Sequence, residues 1–524
     1  VETESGEQAE AQAEDSSNAP AAASRPMWRR LFHIDPKASQ SLQTQLRQEL
    51  VKAILDGRIA PDCPLPSSRS LASELGVARN TVVLAYQHLV DEHYLIARER
   101  HGYFVNPEML HGRVEQTRVI RPDVQDAAQS GPPRADRDPG LVMDLLSQRN
   151  IHRPLDWQRY EFPFIYGQTD ETLFPVNDWR EAVRLSLRVD AIARWTQDRT
   201  DHDDELLVEQ ILTRVLPRRG VWADPDELLI TTGAQNALFL IAQLLLNKGS
   251  TVGVEDPCYP DARNIFALFA GNTETFSVGD SGIQTDERLS SCKLLYVTPS
   301  HQCPTTTTMP LQAREQLLAD AAAQDVTIVE DDYESELNFV GAPTPALKSL
   351  DVDHRVIYVG SLSKTLAPGL RVGFMVGPRE FIRQARALRR LMYRHPPTNT
   401  QRTVGHFLSL GHHDSALLRI SRSFRERFNT MDAALAAHAP LSAKAPAYGG
   451  SSFWVQLPAG VPAVSLEGEA RTRGILLHAG DTYFNEPAQQ GAWCRLGFSS
   501  IEESQIVPGI DRLAGVVEEL LRAS

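Results

Sequence analysis

Val359-Gly360-Ser361-Leu362-Ser363-Lys364-Thr365-Leu366-Ala367-Pro368-Gly369-Leu370-Arg371 runs out of an apolar strand-like stretch into a few small residues around one lysine. Placed there, Lys364 reads as a lysine that forms a Schiff base. Upstream, Val326-Thr327-Ile328-Val329-Glu330-Asp331-Asp332-Tyr333 reads as a second buried strand, and it ends in carboxylates. A third stretch, Leu228-Leu229-Ile230-Thr231-Thr232-Gly233-Ala234-Gln235-Asn236-Ala237-Leu238, passes from strand to small-residue turn to helix. Open α/β sheets gather ligands at the carboxyl ends of their strands, so three such ends are expected to meet at one site.

The residue types at these ends suit one chemistry. Pyridoxal phosphate needs an amine for its aldehyde and a carboxylate that keeps its ring nitrogen protonated. Lys364 and Asp331 supply that pair. Residues i and i+2 of an extended segment share a face, so Tyr333 is expected on the side of Asp331, and Ser361 on the side of Ser363. The two serines, with Arg371, offer hydroxyls and a fixed cation to a phosphate. Gly233, Ala234 and Gln235 open a helix whose free backbone N–H groups suit the same anion. Taken singly, each piece has a plainer meaning: a solvated Ser-x-Ser-Lys loop, a turn or cap at Asp-Asp-Tyr, an ordinary glycine turn. Their joint occurrence at strand ends is what favours the cofactor.

Farther upstream, residues 40–106 show a different pattern. Leu42, Leu46, Leu50, Val51, Ile54 and Leu55 mark one face of a helix. Pro64-Leu65-Pro66-Ser67-Ser68 breaks the chain and offers a serine cap to a helix over 69–75, Gly76 turns, and a second helix starts at Val77-Ala78-Arg79-Asn80-Thr81. Alone this is a helical hairpin. Tyr94-Leu95-Ile96-Ala97-Arg98-Glu99-Arg100-His101-Gly102-Tyr103-Phe104-Val105 then reads as strand, basic turn, strand, and this wing tips the balance toward a winged helix-turn-helix. Arg69, Arg79, Asn80 and Thr81 at the helix starts are the expected contacts to phosphates and base edges, with Arg98, Arg100 and Gly102 serving the wing.

Residues 141–524 resemble a fold-type I aminotransferase and residues from about 40 to 106 a GntR-type winged helix-turn-helix; in this order they resemble the MocR subfamily of bacterial transcription regulators. The resemblance implies a multidomain chain, an α+β winged helix-turn-helix followed by an α/β aminotransferase-like domain. It implies pyridoxal phosphate on Lys364, Tyr259 over the cofactor ring, and Arg495, within Trp493-Cys494-Arg495-Leu496-Gly497, as the residue for an effector carboxylate. It also implies a double-stranded DNA operator and a head-to-tail, domain-swapped homodimer. The expected boundaries are a disordered acidic tail over 1–24, the DNA-binding domain over 25–106, a linker over 107–140 and the effector and dimerisation domain over 141–524. Phe162-Pro163-Phe164-Ile165-Tyr166-Gly167 resembles the opening segment of the aminotransferase family.

Charge follows this division. The net charge of −14 splits into −6 over residues 1–24, +3 over 25–118 and −11 over the rest, so only the DNA-binding segment is positive. Such a weak field implies a few placed DNA contacts and reliance on dimerisation. Cys63, Cys258, Cys292, Cys303 and Cys494 are scattered, which argues against a disulfide framework or a zinc site and for the cytoplasm. No apolar run reaches the roughly 18 residues of a membrane span.

Two departures from the family pattern stand out. Trp195 occupies the place of a tyrosine that would reach a partner's phosphate, and Thr306, in Ser300-His301-Gln302-Cys303-Pro304-Thr305-Thr306, stands where glycine is usual. The wing, Arg98-Glu99-Arg100-His101-Gly102, also differs from the family's more usual tip. Two function classes therefore follow. As a regulator the protein exchanges Lys364 for the amine of an amine or amino-acid effector, such as an ectoine-derived diaminobutyrate, and shifts its DNA-binding domains. As an active aminotransferase with an accessory DNA-binding domain, it uses released Lys364 to carry a proton. The winged helix favours the regulator; a repressor with an empty pocket is a third reading.

Overall fold

The computed structural model describes residues 28–61, 64–110, 140–141, 143–341, 344–438, 441–443, 446, 449–486 and 492–523. The expected acidic tail and nearly all of the expected linker lie outside them. The chain divides into two compact units between residues 139 and 140.

The first unit holds four helices, α1 (Trp28–Leu31), α2 (Leu42–Leu55), α3 (Ser68–Leu75) and α4 (Arg79–Asp91), and a hairpin of β1 (Leu95–Arg98) and β2 (Gly102–Val105). Ser41 caps α2 by accepting from the Thr44 N–H, and Ser67 caps α3 by accepting from that of Ser70. Gly76 ends α3 in the left-handed conformation at φ 69°. The second helix of the motif therefore starts at Arg79, two residues later than its sequence suggests. Leu46, Leu50, Ile54, Leu71, Val82, Tyr86 and Leu89 fill the core, each large apolar side chain stabilising by roughly 1.5–3 kcal/mol. The Tyr86 hydroxyl donates to the Pro66 carbonyl and so ties the proline turn to this core.

In the second unit β3 (Phe162–Pro163) leads into an eight-stranded sheet made of β4 (Leu228–Thr231), β5 (Thr251–Asp256), β6 (Asn272–Gly279), β7 (Gly282–Ile283), β8 (Leu294–Val297), β9 (Thr327–Asp331), β10 (Val356–Ser361) and β11 (Gly373–Val376). Their order is β4-β11-β10-β9-β8-β5-β6-β7, and the neighbours from β10 to β6 run parallel. β11 runs against both β10 and β4, so β4 points the same way as β10. The carboxyl ends of β4, β5, β8, β9 and β10 thus share one edge of the sheet. Near-continuous apolar strands such as Leu228–Ile230 are buried on both faces, as parallel strands covered by helices require. Beyond the sheet, β12 (Ser442–Ala443), β13 (Ser452–Gln456), β15 (His478–Ala479) and β16 (Trp493–Gly497) form a four-stranded antiparallel sheet in the order β12-β13-β16-β15. Its core includes Phe428, Phe453, Phe498 and Leu513, while β14 (Ile475–Leu476) pairs with β3. No described helix is long and apolar enough to cross a membrane.

Glu330, Asp331 and Asp332 are consecutive and all buried at the end of β9. Glu330 accepts from the Leu347 and Lys348 N–H groups and pairs with buried Arg314 at 3.7 Å. Asp332 accepts from Arg219 at 2.8 Å and from the Tyr358 hydroxyl at 2.7 Å. Burial opposes its ionisation, but the Arg219 charge and these hydrogen bonds hold its pKa below the ordinary carboxylate value. Arg219→Met would leave Asp332 buried without its cation, so the second unit should lose about 3–5 kcal/mol in denaturant unfolding. A loss within experimental error would show that the pair does not hold this strand end.

Candidate functional site

At the shared carboxyl edge lies a cavity of about 250 Å³. Its lining includes Ala234, Gln235, Tyr259, Asp331, Tyr333, Ser361, Ser363, Lys364 and Arg371, nine positions singled out from sequence. Gly233 stands directly behind the lining: its φ is 94°, and a Cβ there would come within 2.9 Å of the Arg371 guanidinium. Arg371, itself at φ 51°, adopts a strained left-handed conformation at the same place. A cation and the N-terminus of the twelve-residue helix Ala234–Leu245 are thereby brought to one spot, which suits a phosphate.

Lys364 is inside this cavity, its Nζ 4.3 Å from the ring centroid of Tyr166. Burial lowers its pKa from 10.5 to about 8; Glu334 opposes the shift and Arg153 and Arg495 add to it. Asp331 accepts from the Tyr296 hydroxyl at 2.9 Å through Oδ2, while its buried Oδ1 has no partner. Burial pushes this carboxyl up to about 7. A protonated ring nitrogen is the partner that would draw it back down. The Tyr333 hydroxyl is likewise buried and unpartnered, whereas that of Tyr259 donates to Asp261 at 2.8 Å. Pyridoxal phosphate therefore fits the residues present: an amine, an orphaned carboxylate oxygen, an orphaned phenol and a phosphate cradle.

Some details differ from the simplest expectation. The Ser363 hydroxyl donates to the Val372 carbonyl and accepts from its N–H, so it fastens the lysine loop to β11 as well as facing the cavity. Arg495 is not part of the lining. It lies fully buried on β16 with its guanidinium carbon 3.6 Å from the Tyr166 ring centroid, and Tyr166 is the residue that faces the cavity. Arg495 donates to Ser452 Oγ and Cys303 Sγ, and its Nη2 has no partner. Close packing fixes this arrangement, since a Cβ on Gly497 would fall 2.3 Å from the Ile165 carbonyl oxygen. Arg153, Asp261 and Pro368 line the cavity too and were not singled out from sequence. Cys303, Tyr166 and Gly167 carried a signal, since they belong to segments with family resemblance; Arg153 carried none.

Of the departures, Trp195 donates its indole N–H to the Ser186 carbonyl at 2.8 Å, within its own chain. Thr306 sits at φ 61°, a conformation that glycine adopts without strain, and is pinned by an N–H bond to the Gln302 carbonyl. On the first unit Arg69, Arg79, Asn80, Arg98, Arg100 and Gly102 are exposed and Thr81 is half-buried. Arg98 stacks 4.4 Å over Phe104, and both Arg100 and Gly102 take positive φ in the wing turn.

Comparison with known proteins matches both units. Residues 42–105 match the bacterial regulatory proteins of the gntR family and residues 169–479 the family Aminotransferase class I and II. The chain is 41% identical to the HTH-type transcriptional regulator TauR of Rhodobacter capsulatus, over 92% of this chain and 98% of that protein. It is 28% identical to the probable rhizopine catabolism regulatory protein MocR of Rhizobium meliloti, over 92% and 94%. Among solved structures, the kynurenine aminotransferase of Pyrococcus horikoshii in complex with PMP superposes with a TM-score of 0.65 at 28% identity, covering 70% of this chain and 93% of that one.

The environment of Lys364 sets a pH dependence. Only the neutral amine adds to an aldehyde, so capture of pyridoxal phosphate by the cofactor-free protein should accelerate with pH up to about 8 and then level off. Stopped-flow absorbance measures this rate. Acceleration continuing toward the ordinary lysine value of 10.5 would show that the amine is not shifted.

Proposed function

The chain belongs to the MocR-type transcriptional regulators, in which a gntR-type DNA-binding domain is joined to an aminotransferase-like domain, and on that premise we propose that its cavity senses an amine or amino-acid effector. One observation carries the reading: Lys364, the unpartnered Asp331 oxygen and the Gly233–Arg371 cradle meet in one cavity of a chain that also carries a winged helix. When bound, pyridoxal phosphate supplies an aldehyde that bonds an amine and a protonated ring that withdraws electrons.

The protein's own residues do the rest. Asp331 would hold the ring nitrogen's proton, Tyr333 and Tyr259 would lie beside the ring, and Ser361, Arg371 and the Ala234 helix start would hold the phosphate. Lys364 is the amine that would hold the cofactor's aldehyde, and an effector's amine would compete for the same place. Freed, Lys364 is a buried base of lowered pKa beside Glu334, and Arg495 is available to an effector's carboxylate. An ectoine-derived diaminobutyrate fits this description, as other short amino acids do. The effector shifts DNA binding by the difference in its affinity for two conformations. The first unit reads a double-stranded operator through Arg69, Arg79, Asn80 and Thr81, with Arg98, Arg100 and Gly102 in the wing. The protein acts as a cytoplasmic homodimer, head-to-tail and domain-swapped.

Two substitutions separate the functions. Lys364→Ala should abolish the visible band of the bound cofactor and the effector response while leaving operator binding in place. Arg79→Ala should weaken operator binding by about 1–3 kcal/mol and keep the band. Spectral titration with amines and amino acids, gel-shift assays and a keto-acid assay on the same samples measure all three. Loss of both functions in Arg79→Ala would mean misfolding, whereas a band retained in Lys364→Ala, or rapid keto-acid formation by the wild type, would overturn the sensor reading.

A further inference from the structure

Basic side chains gather around Gly167 and Tyr166, and among the described residues no carboxylate is bonded to them. Arg153 Nη2 and Lys364 Nζ each stand 3.3 Å from the point that a Cβ on Gly167 would fill, so at most twice that distance separates them. Arg153 is exposed at the rim and makes no ion pair among the described residues. Behind Tyr166, His478 on β15 is the register partner of Arg495 on β16, which puts the two side chains on one face of the sheet. His478 is 4% exposed, and among the described residues neither ring nitrogen has a partner. Arg495 is wholly buried with Nη2 unpartnered, and its polar contacts are a hydroxyl and a thiol.

A buried guanidinium without a counter-ion is costly, and so is a buried imidazole that makes no hydrogen bond. Both deficits are met by one small anion. Burial holds His478 neutral, with its pKa down to about 3, and the charges of Arg153 and Arg495 act in the same direction. A neutral imidazole still has one N–H to donate. The phosphate end of the cofactor has its own cation in Arg371, so Arg153 is free for a different anion.

Resting on the sensor reading above, we propose that Arg153 and His478 complete, with Arg495, a subsite for the effector's acidic group and so restrict effectors to short amino acids whose amine and acid lie a few bonds apart. The acid accepts from both guanidiniums and from the His478 N–H once Tyr166 gives way, while the amine stands where Lys364 Nζ stood. A simple alkylamine leaves the arginines unanswered. A diamine brings a further positive charge among them and is excluded.

The test titrates the cofactor-loaded protein with straight-chain amino acids from glycine to 5-aminopentanoate, with the matching alkylamines and with diamines, following the visible absorbance. The wild type should respond to at least one amino acid and at least about tenfold more weakly to its alkylamine, the scale of one charge-assisted hydrogen bond. Arg153→Gln and His478→Phe should each raise the half-saturating concentration of that amino acid about tenfold or more, without change in the cofactor band. His478→Gln, which keeps an N–H donor, should retain most of the response. If His478→Phe does not fold, Arg153→Gln at the exposed rim decides the matter. An unchanged amino-acid response in Arg153→Gln, or an equal response to the alkylamine, overturns the subsite and leaves the sensor reading standing. A wild type that responds to no amine or amino acid at all overturns both.

Discussion

Three consecutive buried carboxylates at the end of one strand, of which only two have arginine partners, are the constraint around which the second unit is organised. Successive side chains of a strand point to opposite faces, so Glu330 and Asp332 share one side and Asp331 takes the other. Arg314 and Arg219 answer the first two. Among the described residues Asp331 receives only the Tyr296 hydroxyl and is left with a buried oxygen that none of them satisfies. Hydrophobic burial and the Arg219 pair hold the strand end rigid, and rigidity keeps this deficit from relaxing. A protein that buries an unpaired carboxylate gives up stability, and a cofactor carrying a positively charged ring nitrogen returns it.

The parts legible in sequence are those in which local chemistry and the strand end coincide. Lys364, Asp331 and Gly233 each follow an apolar run, so a parallel sheet implies their gathering at one edge. The winged helix was legible for the same reason: serine caps, a glycine C-cap and a basic turn are local signals. Arg153 was not, because it lies in an irregular segment without periodicity and reaches the cavity only through the packing of Gly167. His478 was hidden by its short strand and by a partner, Arg495, seventeen positions away. Ser363 shows the limit of reading by residue type, since its hydroxyl is bonded on both sides to Val372.

The first unit relies on placement more than on charge. The excess of positive residues over 25–118 is small, and Arg98 is partly committed to stacking on Phe104. Arg79, Asn80 and Thr81 lie in the first turn of α4, where the free backbone N–H groups already favour a phosphate, so a few contacts there gain from the helix itself. The wing turn takes Arg100 through positive φ, which costs energy that glycine would avoid and fixes the direction of the turn. A binder of this kind is sensitive to how the DNA-binding unit is placed, because each contact contributes little.

That sensitivity gives the segment around Arg153 its importance. Only thirteen positions separate Arg153 from residue 140, where the second unit begins in the chain. The segment is anchored by a few polar contacts, among them Arg149 to the Asn485 carbonyl and Asn264 to the Arg149 carbonyl, and by Ile151 against an aromatic cluster. An acid held by Arg153 adds an ion pair to the element of the second unit nearest, along the chain, to the DNA-binding unit. Ligands shift an equilibrium only by binding its two states unequally. A contact made by exposed Arg153 on this irregular segment meets that condition more readily than one made by Arg495, which is wholly buried in the sheet.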